Sequence, residues 1–505
     1  MYRKVTLILS VVAIISLYHS FTHAVSTSER PNILFIHHSV GHGLIRDGSV
    51  REILTEAGVD FWDHGYNDSK CGLRNAEGKP SGCYWIPDNN TNPDGLALLF
   101  NLNPDGNNAF NKILKNHDIT LFKSCFPASK ITGNNRLKDR LNPKRRSIYN
   151  YKRHYLNIRK TADKYSGKIF VIVSQPPLHP NLTNKDEASR ARAFVKWLTS
   201  KDYLGNRKNL FVFDYFGLLA DPETNMLRKE YQIDPNSKNS HPSPIANMLI
   251  APKFADFIVN IYKNKSNTNL PKVTFDNPLW PHNLTKLNSS TVTLKGKVIS
   301  DQPIKKIFWS DLKGHGGDLP PREDWVIKDL ILENGVTKIL VTALSNNGLR
   351  SSSVIGLQYY QGKRKKAIIF DQTINRGSLS GIHLSAKDSS SEEKLLIING
   401  NGQGQRAAIN DIALDISDFD PQKSFLEIEY DQGMDKTTPR VFIPGIGDLY
   451  LHVDNRNGFE KISIPLNKFT YVHNILNRFI IRGTWLKGTN VYIKSIKLIS
   501  NGAET

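Results

Sequence analysis

Residues 32–43 read NILFIHHSVGHG, and the reading of the whole chain turns on them. Ile33 to Ile36 is an unbroken apolar run, the pattern of a strand buried on both faces of a parallel sheet. Ser39 follows at the carboxyl end of that strand, which is where an open α/β sheet places its ligands. Gly41 and Gly43 predict a tight turn whose backbone N–H groups face a developing negative charge. A serine in this position also serves as a helix N-cap, so the stretch alone does not define chemistry.

Three further runs have the same texture: 119–124 (ITLFKS), 169–173 (IFVIV) and 210–213 (LFVF). Amphipathic segments lie at 50–57, 108–116, 149–165 and 188–199, and a last helix is predicted over 245–263. Strands that alternate with helices imply βαβ units, hence a doubly wound, three-layer α/β domain over residues 30–265. The stretch 69–94 is too long for an ordinary connection and predicts a loop that either covers a site or is mobile. After residue 266 short strands alternate with turn signals such as Lys313-Gly314-His315-Gly316-Gly317. Residues 270–361 predict a β-sandwich that resembles Ig- or fibronectin-like modules. A basic linker, Lys363-Arg364-Lys365-Lys366, precedes a second sandwich over 366–500, which resembles jelly-roll carbohydrate-binding modules. The fold class is therefore multidomain: one α/β domain and two all-β sandwiches.

At 505 residues the chain is too long for a single core. Its formal charge of +20 favours anionic partners: nucleic acid, an acidic polysaccharide or an anionic cell surface. Residues 1–24 read as a secretory signal, with Arg3 and Lys4 before an apolar stretch at 7–17 and Thr22-His23-Ala24 as the cleavage site. That apolar stretch is short of the ~20 residues a spanning helix needs. A secreted, periplasmic or cell-surface location follows, and export removes nucleic acid from the front rank. Of three cysteines, Cys71 and Cys83 flank a polar stretch and can pair in an oxidising compartment, whereas Cys125 follows a strand and is expected buried and unpaired.

A second block completes the first. Ser240-His241-Pro242-Ser243-Pro244 stands just before the last helix, about 200 residues after Ser39. A serine after strand one and a histidine before the last helix resemble the SGNH (GDSL-like) hydrolases over residues 30–262. There a GDS-x-x-x-G block carries the nucleophile and a D-x-x-H-P block the general base. Ser39 and Gly43 match the first spacing, with His37-His38 in place of Gly-Asp, and His241-Pro242 match the second. The resemblance implies that His241 takes the Ser39 proton, that Ser39 attacks an ester carbonyl, and that no cofactor or metal takes part.

Departures from that pattern leave positions open. The orienting aspartate is replaced by Lys238, with Asp234 as the substitute seven residues before His241. Gly65, in Asp63-His64-Gly65-Tyr66-Asn67, stands where a backbone oxyanion donor is expected. No asparagine occurs in 122–129 (FKSCFPAS), so Ser124 or Asn67 is left to fill that role. The implied function is an exported carbohydrate esterase that removes acyl groups, acetyl first, from an anionic polysaccharide held by the β modules. An O-acyltransferase using the same pair and a non-catalytic glycan- or surface-binding protein are the alternatives.

Other residues weigh less. His37, His38 and His42 surround Ser39, yet neighbours on a strand point to opposite faces, which disfavours a shared metal. Ser174-Gln175-Pro176-Pro177 ends a strand at the same edge as either pocket lining or a rigid turn, and Asp214 reads as a pocket carboxylate or, the better reading, as an N-cap or salt-bridge partner. The segment 136–160 has ten basic residues against Asp139, interleaved with Tyr149, Tyr151 and Tyr155. It reads as a solvated face or as a cationic wall for an anionic glycan. Trp485, Tyr471 and Tyr492 are weighed as sugar-stacking residues, with core packing the better reading of each.

Overall fold

The computed structural model describes residues 30–500 except 66–70, 85, 87–91, 101–107, 135, 234, 237, 264–266, 277–284, 362–365, 387–392, 400–403, 432–439, 444–446, 451–458, 469–474, 485–486 and 488–489. Residues 1–24, expected to be a signal, lie outside them, as do Asn67, Asp234, Tyr471 and Trp485.

The first sheet contains β1 (Asn32–His37), β2 (Asp60–Gly65), β3 (Leu73–Arg74), β4 (Ile119–Lys123), β5 (Ile169–Val173) and β6 (Leu210–Phe213). Its order is β3-β2-β1-β4-β5-β6. Five strands are parallel, and β3 runs antiparallel to β2 at the edge. The direction of winding reverses between β1 and β4, the point at which a doubly wound sheet opens a crevice above its strand ends.

The helices of this region are α1 (Ser39–Gly48), α2 (Val50–Glu56), α3 (Pro93–Leu99), α4 (Asn108–Asn116), α5 (Arg136–Leu141), α6 (Ile148–Lys164), α7 (Lys185–Leu198), α8 (Lys201–Leu204), α9 (Tyr215–Leu219) and α10 (Pro244–Tyr262). Alternate strand residues feed two cores. Ile33, Phe35, Leu121 and Val171 meet Leu44, Ile53 and Phe254 of α1, α2 and α10. Leu34, Ile36, Phe122 and Phe170 meet Ile113, Tyr155 and Phe194 of α4, α6 and α7. This two-sided burial explains the unbroken apolar runs in the strands.

The remaining strands are mostly antiparallel. β7 (Lys272–Phe275), β8 (Thr285–Leu287), β9 (Thr291–Ile299), β10 (Ile304–Ser310), β11 (Gly316–Leu319), β12 (Asp324–Ile331), β13 (Gly335–Ser345) and β14 (Arg350–Tyr359) form the sheets β11-β10-β13-β14-β8 and β12-β9-β7. Trp325 is buried between them with Ile307, Ile339 and Ile355. Residues 366–500 contribute a seven-stranded and a five-stranded sheet, with the last strand, Asn490–Ser500, central to the larger one.

The 19-residue α10 is long and apolar enough to cross a membrane, which the sequence reading did not anticipate. Most of it is buried within the fold, because two layers cover it. Phe254 packs on Phe35 of the sheet, with ring centroids 5.3 Å apart. On the outer side Arg350 of β14 donates to Asp256 at 2.7 Å, Ser352 donates to the same carboxylate at 2.9 Å, and Asn260 exchanges hydrogen bonds with the Arg350 backbone. A helix enclosed on both sides has no need of a polar face. Lys338 of β13 adds donors to the Asp47 carbonyl (2.7 Å) and to Ser49 Oγ (2.9 Å), at the carboxyl end of α1.

Candidate active site

Ser39 is the first residue of α1, at the β1/β4 switch point, with half-buried side chain. Its Oγ–H donates to His241 Nε2 at 2.7 Å, across 202 residues of sequence. His241 is held by its neighbours. Ser240 Oγ accepts from the His179 N–H (2.8 Å), the Ser243 N–H reaches the Tyr231 carbonyl (2.8 Å), and Ser243 Oγ caps α10 at the Ala246 N–H (3.3 Å). The ring of Phe126 stands edge-on to the imidazole, centroids 5.1 Å apart.

The third partner is Asn239, which the sequence reading missed. Its Oδ1 accepts from the His241 backbone N–H (3.1 Å) and lies 2.7 Å from His241 Nδ1. The backbone N–H can only donate, so the atom facing it is the amide oxygen. An oxygen acceptor at Nδ1 requires that Nδ1 carry the proton, which leaves the Nε2 lone pair for the Ser39 hydroxyl. The available signal was local: an Asn two residues before a histidine can fold its side chain back in an Asx turn. Lys238, where the family pattern has its aspartate, is exposed.

Beneath the pair lies a buried ion network. His37 Nδ1 donates to the His38 carbonyl (2.8 Å) and Nε2 to Asp63 Oδ2 (3.0 Å). A carbonyl and a carboxylate are both acceptors, and between them they engage both ring nitrogens of His37. Asp63 also pairs with Arg51, whose guanidinium reaches the carbonyls of Asn75 (2.7 Å) and Ala76 (3.1 Å). Burial alone would raise the Asp63 carboxyl, but the hydrogen bond and charge of His37, with Arg51, hold it below its ordinary value. With both nitrogens engaged, His37 is unavailable to a metal. Among the described residues no three His, Cys, Asp or Glu side chains are grouped to hold one.

Several expectations are corrected. Gly41 and Gly43 lie within α1 and form no turn. A Cβ at Gly41 would come within 2.4 Å of His37 Cβ, and one at Gly43 within 2.8 Å of Asn247 Nδ2, so these glycines serve close packing. The Gly65 N–H donates to the Gly72 carbonyl (3.0 Å), which engages the donor that an oxyanion role would need. Ser124 is wholly buried, and its hydroxyl lies 3.4 Å from Tyr155 Oη in the opposite layer. Asn67 and Asp234, the other two candidates, fall outside the described residues.

The minor readings also resolve. Asp214 caps α9 through the Gly217 N–H at 2.8 Å, and Ser174 Oγ accepts from the Phe216 N–H, also at 2.8 Å. Cys71 and Cys83 form a disulfide, and Cys125 is buried and free. In the basic segment Tyr151 and Tyr155 are core residues, Arg145 pairs with Asp139, and Lys152 lies over the Trp197 ring. Tyr492 is half-buried and accepts from Asn490 Nδ2 at 3.2 Å.

No protein-family model and no curated protein matches the chain. Among solved structures it is similar to a protein of Bacteroides fragilis assigned as an acylhydrolase, at 12% identity and TM-score 0.27, over 46% of this chain and 91% of that one. A family 11 carbohydrate-binding module of Clostridium thermocellum aligns at 14% identity and TM-score 0.20, over 27% of this chain and 95% of the module. A family 22 module from the same organism aligns at 13% and 0.20, over 27% and 94%. Scores this low carry no argument, and the functional reading rests on the site itself.

Proposed function

We propose that the protein is an exported serine esterase that removes acyl groups, acetyl above all, from a polysaccharide. The observation that carries this reading is the 2.7 Å bond from Ser39 Oγ to His241 Nε2, with Asn239 holding the other ring nitrogen at 2.7 Å. Nucleophile, base and orienting group stand in the relation that acyl transfer requires. His241 Nε2 takes the hydroxyl proton as Oγ bonds to the ester carbon. The oxyanion forms beside the amino end of α1, whose first N–H groups have no acceptor inside the helix. Collapse breaks the ester C–O bond, and the leaving alkoxide takes the proton from Nε2. Water, deprotonated by the same nitrogen, then releases the acid from Ser39. Asn239 fixes the tautomer but supplies no countercharge to the imidazolium, which suits an ester leaving group better than an amide.

Export is supported by the 71–83 disulfide, a feature of oxidising compartments. The charge of +20 supports an anionic polymer as partner. The experiment is acetate release from acetylated polysaccharides by residues 25–505, beside Ser39→Ala. Release by the wild type alone supports the proposal, and equal background from both proteins overturns it. Recovery of acetylated alcohol when an acceptor replaces water would make the same pair a transferase.

A further inference from the structure

The short helix α5 is built inside out. Its one acidic residue, Asp139, is wholly buried and accepts from Arg145 Nη1 at 2.6 Å. Leu137 and Leu141, one turn apart and therefore on one face, are 70% and 79% exposed. Their exposure is not that of a frayed end. The Asn142 N–H bonds to the Lys138 carbonyl (3.2 Å) and the Arg145 N–H to the Asn142 carbonyl (3.0 Å). Asn150 of α6 ties the carbonyls of Asn142 (2.8 Å) and Arg145 (3.1 Å) from below. The fold thus holds two leucines in water while the residue suited to water is inside. Exposure of the leucines themselves contributes nothing to folding.

What surrounds the leucines identifies the occupant. Arg136, Arg140 and Lys144 are exposed on the same short segment, and the one acid of α5 is paired with Arg145. Cations alone would serve a glycan, which would leave the leucines wet. A second copy of this face would set like charges against each other. An anionic bilayer takes both parts: leucine side chains enter the boundary between headgroups and acyl chains, and the guanidinium and ammonium groups meet lipid phosphates. We infer that α5 with residues 142–144 is a docking surface for an anionic lipid bilayer, with Leu137 and Leu141 as its apolar anchors.

The test is co-sedimentation of residues 25–505 with vesicles of phosphatidylglycerol and phosphatidylcholine, or of phosphatidylcholine alone; omitting residues 1–24 removes the apolar run at 7–17. Binding to the anionic vesicles only is expected. Leu137→Ser/Leu141→Ser should weaken it about tenfold, as should Arg136→Glu/Arg140→Glu. Ile331→Ser, at a residue 78% exposed on β12, should leave it unchanged. Because the leucines are exposed, the melting temperature of their variant should match the wild type, which separates a docking defect from misfolding. No wild-type binding, or a leucine variant that binds like the wild type, overturns the inference. So does vesicle-free self-association that the leucine variant abolishes, since the occupant would then be a second copy.

Discussion

Asn239 orients His241 from two residues away, a place the family pattern does not use. That Ser39 and His241 meet was readable because each stands beside an element boundary visible in the residues: an apolar run, and the Pro-led start of a helix. Asn239 was not, because its role depends on a local bend that returns Oδ1 to the His241 N–H. Asn239→Ala should lower kcat by about 10²–10⁴ with little change in KM, the effect of losing the tautomer. Asn239→Asp should retain activity and move the acidic limb of the rate–pH profile upward, since a carboxylate favours the imidazolium. At Asp63 the native carboxyl lies below its ordinary 3.8, so the unfolded chain takes up the proton first as pH falls. Stability present above that value is therefore lost on descending toward the native one, and Asp63→Asn should flatten that limb of the denaturation profile. Lys123 is buried, and its Nζ has no hydrogen-bond partner among the described residues. Burial lowers its affinity for the proton. Lys123→Met should stabilise by about 2 kcal/mol at neutral pH, and the advantage should shrink as pH rises toward 10.5, where the unfolded chain also gives up the proton.

α1 shows why element boundaries resisted reading where strands did not. β1, β5 and β6 coincide with their apolar runs because burial on both faces leaves no room for polar residues. In residues 39–48 the glycines read as a turn, yet they are the positions at which a helix meets its neighbours closely. A Cβ at Gly48 would lie 2.5 Å from Ala251 Cβ and 2.7 Å from the Asn247 carbonyl oxygen. Such contacts belong to tertiary structure and have no local signature. Gly48→Ala should destabilise by about 1–3 kcal/mol in chemical denaturation, as overpacking does. Its effect on the rate should be larger than that of an equally destabilising change in the second β region, because α1 begins with Ser39 and α10 follows His241.

In the whole molecule α10 joins the Ser39–His241 site to the first β region, so that region helps to support the pair. Division of the chain into an α/β part and β parts was readable from texture. The shared core was not, since Asp256 and Asn260 meet Arg350 only through the fold, across 94 and 90 residues of sequence. Burial pushes the Asp256 carboxyl above its ordinary value, against the pull of Arg350. Arg350→Met would leave that carboxylate unpaired, and a loss of about 3–5 kcal/mol in denaturant unfolding is expected, with inactivation at correspondingly lower temperature. The central claim is that these layers hold Ser39 as an activated nucleophile. Intact-mass analysis after a fluorophosphonate probe is applied to residues 25–505 tests it most directly. One adduct, absent from both Ser39→Ala and His241→Ala, is the predicted result; a folded wild type that takes up no adduct, or one whose adduct survives Ser39→Ala, would contradict it.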